Sequence, residues 1–261
     1  MLLQIVGGGK MGEALLRGLI TSDWAQPAEL HVVEANAQRR DQLSADYPGI
    51  SVSDTVGDGA DALISVKPQH VTEVVAALAS NGVSRLVSVA AGITVSAMEA
   101  AGPGIRVVRC MPNTPALVGE GASAIAGGAT ATDDDLAWAE SILAAVGDVE
   151  RVSEPDLDAV TGLSGSGPAY VFHLAEALIA AGIAQGLSPE IADRLARQTI
   201  LGAATLLHES GEDPGVLREN VTSPGGTTAA GLAVFAEEDF TGLVDRVVRA
   251  AVARSRELGT S

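Results

Sequence analysis

Residues 7–12 read Gly-Gly-Gly-Lys-Met-Gly, which places Gly7, Gly9 and Gly12 at the spacing of a dinucleotide-binding turn. In such a turn the first glycine allows a tight bend and the second lets the backbone approach a pyrophosphate. The third lets the following helix pack on a sheet. Glycine is abundant here, 30 of 261 residues, so the spacing alone says little. Its surroundings say more. The apolar run "LLQIV" (2–6) precedes it, the amphipathic "KMGEALLRGLI" (10–20) follows, and Glu34 closes the next apolar run. A carboxylate at that place can accept from the hydroxyls of an adenosine ribose and repels a 2′-phosphate. Gly8, Lys10 and Met11 complete the turn, and the free N–H groups of a helix start would face the phosphates. The competing reading is a tight strand–helix turn without a ligand. Arg39 and Arg40 follow Glu34 closely enough to offset its charge, but a charged pair on a helix reads first as a solvated face. The choice between NADH and NADPH stays open.

Three further loops fall at the ends of strand-like runs, where open parallel sheets bind ligands. "VKPQ" contributes Val66, Lys67 and Pro68; "AAGI" contributes Ala90, Ala91 and Gly92; "MPNTPALVGEG" contributes Pro112 and Asn113. Small residues at 90–92 would let a cofactor lie flat against the backbone, and two prolines stiffen the third loop around Asn113. Each loop alone reads as a plain turn; their shared edge favours a site.

The elements that position these loops follow from the pattern of apolar residues. Runs at 2–6, 30–34, 61–66, 85–91 and 105–110 are rich in Val, Ile and Leu, and helix-like segments lie between them at 36–46, 69–79 and 94–101. Strands alternating with helices imply right-handed crossovers and a mostly parallel, Rossmann-like sheet. After a helix-like stretch at 133–146 the pattern changes to helical periodicity at about 156–185, 189–210, 226–238 and 240–258. The expected organisation is an α/β dinucleotide-binding domain over 1–152 and an all-helical domain over 153–261.

Composition limits the function. Hydrophobic residues make up 47% and aromatic ones 3%, so the core is aliphatic. The formal charge of −17 argues against nucleic acid and anionic membranes as partners. An anionic ligand must then be held by backbone dipoles. No run of about 18 apolar residues free of charges and breakers is evident, so no membrane-spanning helix is expected. The first strand begins at about Leu2, which leaves no room for a signal peptide, and a lone cysteine fits a reducing, cytoplasmic setting. Cys110 reads as a small core hydrophobe. Four scattered histidines form no metal-ligand spacing, and no metal is expected.

"GGGKMGEALL", "VKPQ", "AAGI", "RCMPNTPALVGEG", "LSGSGPAYVF" and "VTSPGGTTAAGL", in this order, resemble the pyrroline-5-carboxylate reductase family over essentially the whole chain. The resemblance implies NADPH- or NADH-dependent reduction of 1-pyrroline-5-carboxylate to L-proline. It also implies a helical domain interleaved with a partner subunit, in a homodimer or a larger ring. Hydride transfer to a cyclic imine needs positioning and no dedicated strong acid, because a protonated iminium is already electrophilic. "SPGGTT" (223–228) reads as the entry to the helix at 226–238, with Pro224 in its first turn. Ser223, Gly226, Thr227 and Thr228 look like a carboxylate cradle made of dipoles. The resemblance further implies that the Thr228 hydroxyl lies near the ring nitrogen, as the catalytic group. A serine-capped helix with a flexible entry is the plainer alternative. Gly165 and Gly167 fit either helix packing or the nicotinamide end, and Glu176 reads as a polar helix residue.

Two rivals share the architecture. A β-hydroxyacid dehydrogenase would carry a lysine about four residues after its last motif glycine, where Val171 stands; Lys10 and Lys67 are the only lysines. An imine reductase of the same build stands with that first rival, and a nicotinamide-binding sensor without catalysis is the second. An intact "SPGGTT" counts against the sensor.

Overall fold

The computed structural model describes residues 1–259, which divide into two compact units, Met1–Ser166 with the residues from Ala250 onward, and Gly167–Arg249. In the first unit the chain runs β1 (Leu3–Val6), α1 (Lys10–Thr21), β2 (Leu30–Val33), α2 (Ala37–Asp46), β3 (Ser51–Ser53), β4 (Asp61–Ile64) and α3 (Val71–Ser80). It continues through β5 (Arg85–Ser88), α4 (Val95–Ala101), β6 (Arg106–Met111), β7 (Gly121–Gly127), α5 (Asp133–Leu143), β8 (Gly147–Arg151) and the short α6 (Leu157–Val160). The sheet order is β3-β2-β1-β4-β5-β6-β7-β8. All neighbours are parallel except β6 and β7. The expected Rossmann-like sheet is present. Chain order reverses direction at the β1/β4 boundary, which is where such sheets bind ligands.

The apolar runs are continuous because the sheet is covered on both faces. Leu3, Ile5, Leu63 and Val87 pack into one core with Leu15, Leu16 and Ile142, while Val6, Ala62, Ile64 and Leu86 pack into another with Val75, Leu78 and Met98. Alternate residues of one strand thus serve opposite layers. Cys110 lies in the first core at 1% exposure, and burial pushes its thiol pKa far up, so it packs as expected. Gln4 is also fully buried; its amide donates to the carbonyls of Gly57 (3.3 Å) and Ala60 (3.0 Å) and accepts from the Gly57 N–H (3.0 Å). Beside it in register, His31 contacts Ser53 Oγ through Nε2 at 2.8 Å. These two side chains pin the segment 53–60.

The compact division falls after Ser166, later than the boundary expected at 152/153. Leu157 packs under β7 against Ala124 and Ala126, and Ser255 donates to Asp158 at 2.6 Å, which keeps both segments with the sheet.

The second unit holds α7 (Gly167–Ala184), α8 (Pro189–Ser210), α9 (Pro214–Asn220), α10 (Thr227–Glu237) and most of α11 (Phe240–Gly259). α7 and α8 form a close hairpin: a Cβ at Gly182 would lie 3.3 Å from that of Ala192. Ala192 and Ala196 are its only buried residues among those described. A π-helical turn at Thr161–Gly165 precedes α7 and carries helical structure through "TGLSG". Glu154–Ala184 therefore forms one stretch long and apolar enough to cross a membrane by length and composition; its most apolar 18-residue window has mean hydropathy 1.3 and is unburied. This corrects the expectation that no such stretch exists.

Candidate functional site

The turn after β1 is shaped by two glycines that no other residue could replace. Gly7 has φ of +110°, and a Cβ there would lie 2.5 Å from the Ser65 carbonyl oxygen. A Cβ at Gly12 would run into the Gly7 carbonyl oxygen. A Cβ at Gly9, by contrast, would meet nothing within 4 Å. Gly9 is the N-cap of α1 and supplies no side-chain cap; the first helical bond runs from the Glu13 N–H to its carbonyl at 2.8 Å. The amides of Lys10, Met11 and Gly12 thus stand outside the intrahelical ladder. Bare backbone donors and the positive end of a helix fit a pyrophosphate.

Beside this turn lies a cleft of about 980 Å³ at the β1/β4 switch point. Gly7, Gly9, Glu34, Val66 and Lys67 line it, so five of the expected cofactor residues share one cavity. Gly8 joins through a hydrogen bond from its N–H to Glu34 Oε2 at 2.9 Å. The other Glu34 oxygen accepts the Asn36 N–H at 2.9 Å. Pro68 opens a short 3-10 turn behind Lys67, and Met11 packs against the core while Lys10 is exposed.

The cleft has further walls, which apart from Asp54 the sequence reading missed. Thr55, Val56, His70, Val74 and Asn81 line it, as do the carboxylates Asp54 and Glu73. Asp54 to Val56 follow β3, a strand too short to be read, and the others sit on or beside α3. Arg39 and Arg40 are corrected from a solvated face to parts of the scaffold. Arg39 donates to the Gly8 carbonyl (2.8 Å) and to Glu13 (2.5 Å); Arg40 donates to the carbonyls of Glu34 and Ala35, both at 2.8 Å.

The remaining expected residues lie farther along the same strand edge, outside this cleft. Ala90 is buried, Ala91 exposed, and Gly92 has φ of +77° in the loop after β5. Pro112 and Asn113 follow β6. The Asn113 amide is committed: it donates to the Ser164 carbonyl (3.1 Å) and accepts the Ala122 N–H (2.9 Å). It thereby ties the "MPNTP" loop to the π turn of "SGSG". Gly165 serves packing, since a Cβ there would lie 2.6 Å from Met111 Cε. Glu176 is exposed and pairs with His173 at 3.1 Å.

In the second unit, α10 begins at Thr227, so Pro224 lies before the helix and not in its first turn. Gly226 is the N-cap and no side chain caps the helix. Gly225 has φ of +71°, the Gly226 N–H donates to the Ser223 carbonyl at 3.0 Å, and a Cβ at Gly226 would lie 2.5 Å from Ser223 Oγ. Ser223, Thr227 and Thr228 are exposed. The serine-capped alternative is therefore excluded. What stands there is a helix start with free amides and two threonine hydroxyls.

Comparison with known proteins matches both parts of the chain. Residues 154–258 match the family model "Pyrroline-5-carboxylate reductase dimerisation", and residues 2–92 match "NADP oxidoreductase coenzyme F420-dependent". The pyrroline-5-carboxylate reductases of a Synechocystis species and of Arabidopsis thaliana are each 44% identical over 263 aligned residues. These alignments cover 98% of this chain and 98% and 95% of those proteins. The pyrroline-5-carboxylate reductase structure from Coxiella burnetii superimposes with a TM-score of 0.93 at 33% identity, covering 99% of this chain and 98% of that one. The Plasmodium falciparum enzyme, solved with NADP bound, gives 0.84 at 28% identity with the same coverage. With one glycine-turn cleft, one uncapped helix start and full-length identity at this level, the chain belongs to the pyrroline-5-carboxylate reductase family.

Proposed function

We propose that the protein reduces 1-pyrroline-5-carboxylate to L-proline with NADH or NADPH, in the cytoplasm, as a homodimer or a ring of dimers. The observation that carries this reading is the presence, in one chain of this family, of two helix starts that bare backbone amides and no side-chain cap make fit for an anion. One is the bare turn at Gly7–Gly12, and the other is the uncapped start of α10 at Gly226–Thr228. A protein of charge −17 has few cations to spend on anions, and helix starts need none.

The turn, with Lys10 and Met11 contributing backbone amides and Gly8 tethered to Glu34, holds the dinucleotide phosphates, and Glu34 holds the adenosine ribose. Val66, Lys67 and Pro68, then Ala90–Gly92 and Pro112–Asn113, line the path toward the nicotinamide along the strand edge. Bound there, the reduced nicotinamide supplies a hydride to the C=N carbon. The amides of Thr227 and Thr228, with the N-cap Gly226 and Ser223 shaping the turn, anchor the substrate carboxylate. The Thr228 hydroxyl orients the ring nitrogen, which carries the proton that completes the amine. Catalysis then comes from positioning, which suits an electrophilic iminium.

The uncovered helices fit a second copy of this chain. The apolar stretch Glu154–Ala184 falls in the region matched by the dimerisation model, which favours a protein neighbour over lipid. The strong negative charge supports neither nucleic acid nor an anionic membrane as a partner. The single cysteine is buried and unpaired, in keeping with a reducing compartment.

A steady-state assay with 1-pyrroline-5-carboxylate and each of NADH and NADPH tests the reading. Substrate-dependent oxidation of the cofactor with stoichiometric proline is expected. A folded protein that binds a nicotinamide cofactor yet turns over neither would favour a sensor.

A further inference from the structure

We infer that the adenosine end of the cleft is built for an unphosphorylated ribose, so that the protein binds NADH at least ten-fold more tightly than NADPH, with Glu34 as the discriminating side chain. The inference rests on the reductase reading above and adds the cofactor choice.

Glu34 lines the cleft and is held from two sides, by the Gly8 N–H on Oε2 and the Asn36 N–H on Oε1, both at 2.9 Å. Each carboxylate oxygen can accept two hydrogen bonds. One lone pair on each oxygen therefore remains for a donor in the cleft. A ribose 2′,3′-diol brings two O–H donors. A 2′-phosphate brings acceptors and negative charge, and needs a nearby arginine.

The two arginines at hand are already engaged. Arg39 is bonded to the Gly8 carbonyl and to Glu13. Arg40 holds the carbonyls of Glu34 and Ala35 and stands 3.8 Å from Asp54. Neither lines the cleft, whose charged walls are the carboxylates Glu34, Asp54 and Glu73 against Lys67. Turning Arg40 toward a phosphate would give up two charge-assisted bonds that fix the end of β2. The family model matched at residues 2–92 carries NADP in its description, so the opposite preference is a real alternative.

Calorimetric titration of the full-length protein with NADH and NADPH reads the discrimination. Adenosine 5′-monophosphate and adenosine 2′,5′-bisphosphate isolate the adenosine end, since they differ only by the 2′-phosphate. Both pairs are expected to favour the unphosphorylated member ten-fold or more. In Glu34→Ala the ratio should fall below three-fold or reverse, while affinity for both cofactors drops because Gly8 loses its tether. Arg39→Ala and Arg40→Ala should each move the ratio less than three-fold, and they test the inference even if Glu34→Ala does not fold. NADPH binding as tightly as NADH to the wild type would overturn the inference. So would a ten-fold loss confined to NADPH in either arginine variant. Binding of neither dinucleotide to folded protein would instead overturn the reductase reading itself.

Discussion

Strands β1, β4 and β5 bury nearly every side chain they carry, while helices α7, α10 and α11 bury none among the described residues. The helices are no less apolar for that: Phe172 is 63% exposed, Val234 56% and Leu243 47%. A unit whose buried residues are two alanines cannot offset the entropy of ordering five helices. The cofactor unit owns its core, whereas the helical unit requires a second surface to complete one. The proposed division of labour follows: the cleft proposed for the nucleotide lies in the unit that owns its core, and the loop proposed for the substrate lies in the unit that lacks one.

The largest expected break in this contrast comes from charging the uncovered face. Phe172→Glu should abolish the oligomer, because a buried unpaired carboxylate costs about 3–5 kcal/mol, and turnover should fall by a hundred-fold or more. NADH affinity should be nearly unchanged. Loss of nucleotide binding alongside the oligomer would show that the two units are not separable in this way.

Within the cofactor unit, two glycines one helical turn apart should behave differently. Gly12→Ala drives a methyl into the Gly7 carbonyl, so melting temperature should fall by the equivalent of about 1–3 kcal/mol and cofactor binding with it. Gly9→Ala meets no protein atom. Its melting temperature should stay at wild type while cofactor affinity weakens about ten-fold, since the methyl occupies ligand space. Calorimetry and thermal denaturation on both variants separate fold from site.

In the helical unit, Thr228→Ala keeps the amides and removes one oriented hydroxyl. A lost hydrogen bond to a charged partner is worth about 1.5–3 kcal/mol, so kcat/KM should drop roughly ten-fold to a hundred-fold with cofactor Kd unchanged. Wild-type kinetics would remove the hydroxyl from the chemistry.

The smallest effect concerns His31. Burial lowers its pKa below the usual 6.5, and its Nδ1 has no partner among the described residues. The unfolded chain takes up a proton more readily than the folded one, so this histidine's contribution is complete above pH 6.5 and is lost as pH falls through the folded pKa. His31→Asn should flatten the acid side of the stability–pH curve, measured by thermal melts between about pH 5 and 8. An unchanged acid limb would contradict this.

Much of the cofactor unit was legible because a sheet covered on both faces writes continuous apolar runs, and glycines at 7, 9 and 12 mark the turn. The edge strands were not. β3 is three residues of "SVS", and β8 reads "GDVER", polar because it faces water. Helix α9 is only seven residues, Pro214–Asn220, too short for its periodicity to be read. Missing β3 hid Thr55 and Val56, and the roles of Arg39 and Arg40 depend on where side chains point, which helical periodicity does not encode. The "SPGGTT" stretch suggested an anion site by composition and its helix starts where expected, but Pro224 lies before the helix and not in its first turn. Family resemblance supplied the substrate; the residues alone reached only an anion beside a dinucleotide.

The most direct test of a self-sufficient cofactor unit joined to a partner-dependent helical one is the mass of the active species in solution. Light scattering at micromolar protein should give at least twice the 26.3 kDa of one chain, in the same fraction that reduces 1-pyrroline-5-carboxylate. A monodisperse 26.3 kDa species with full turnover would contradict it.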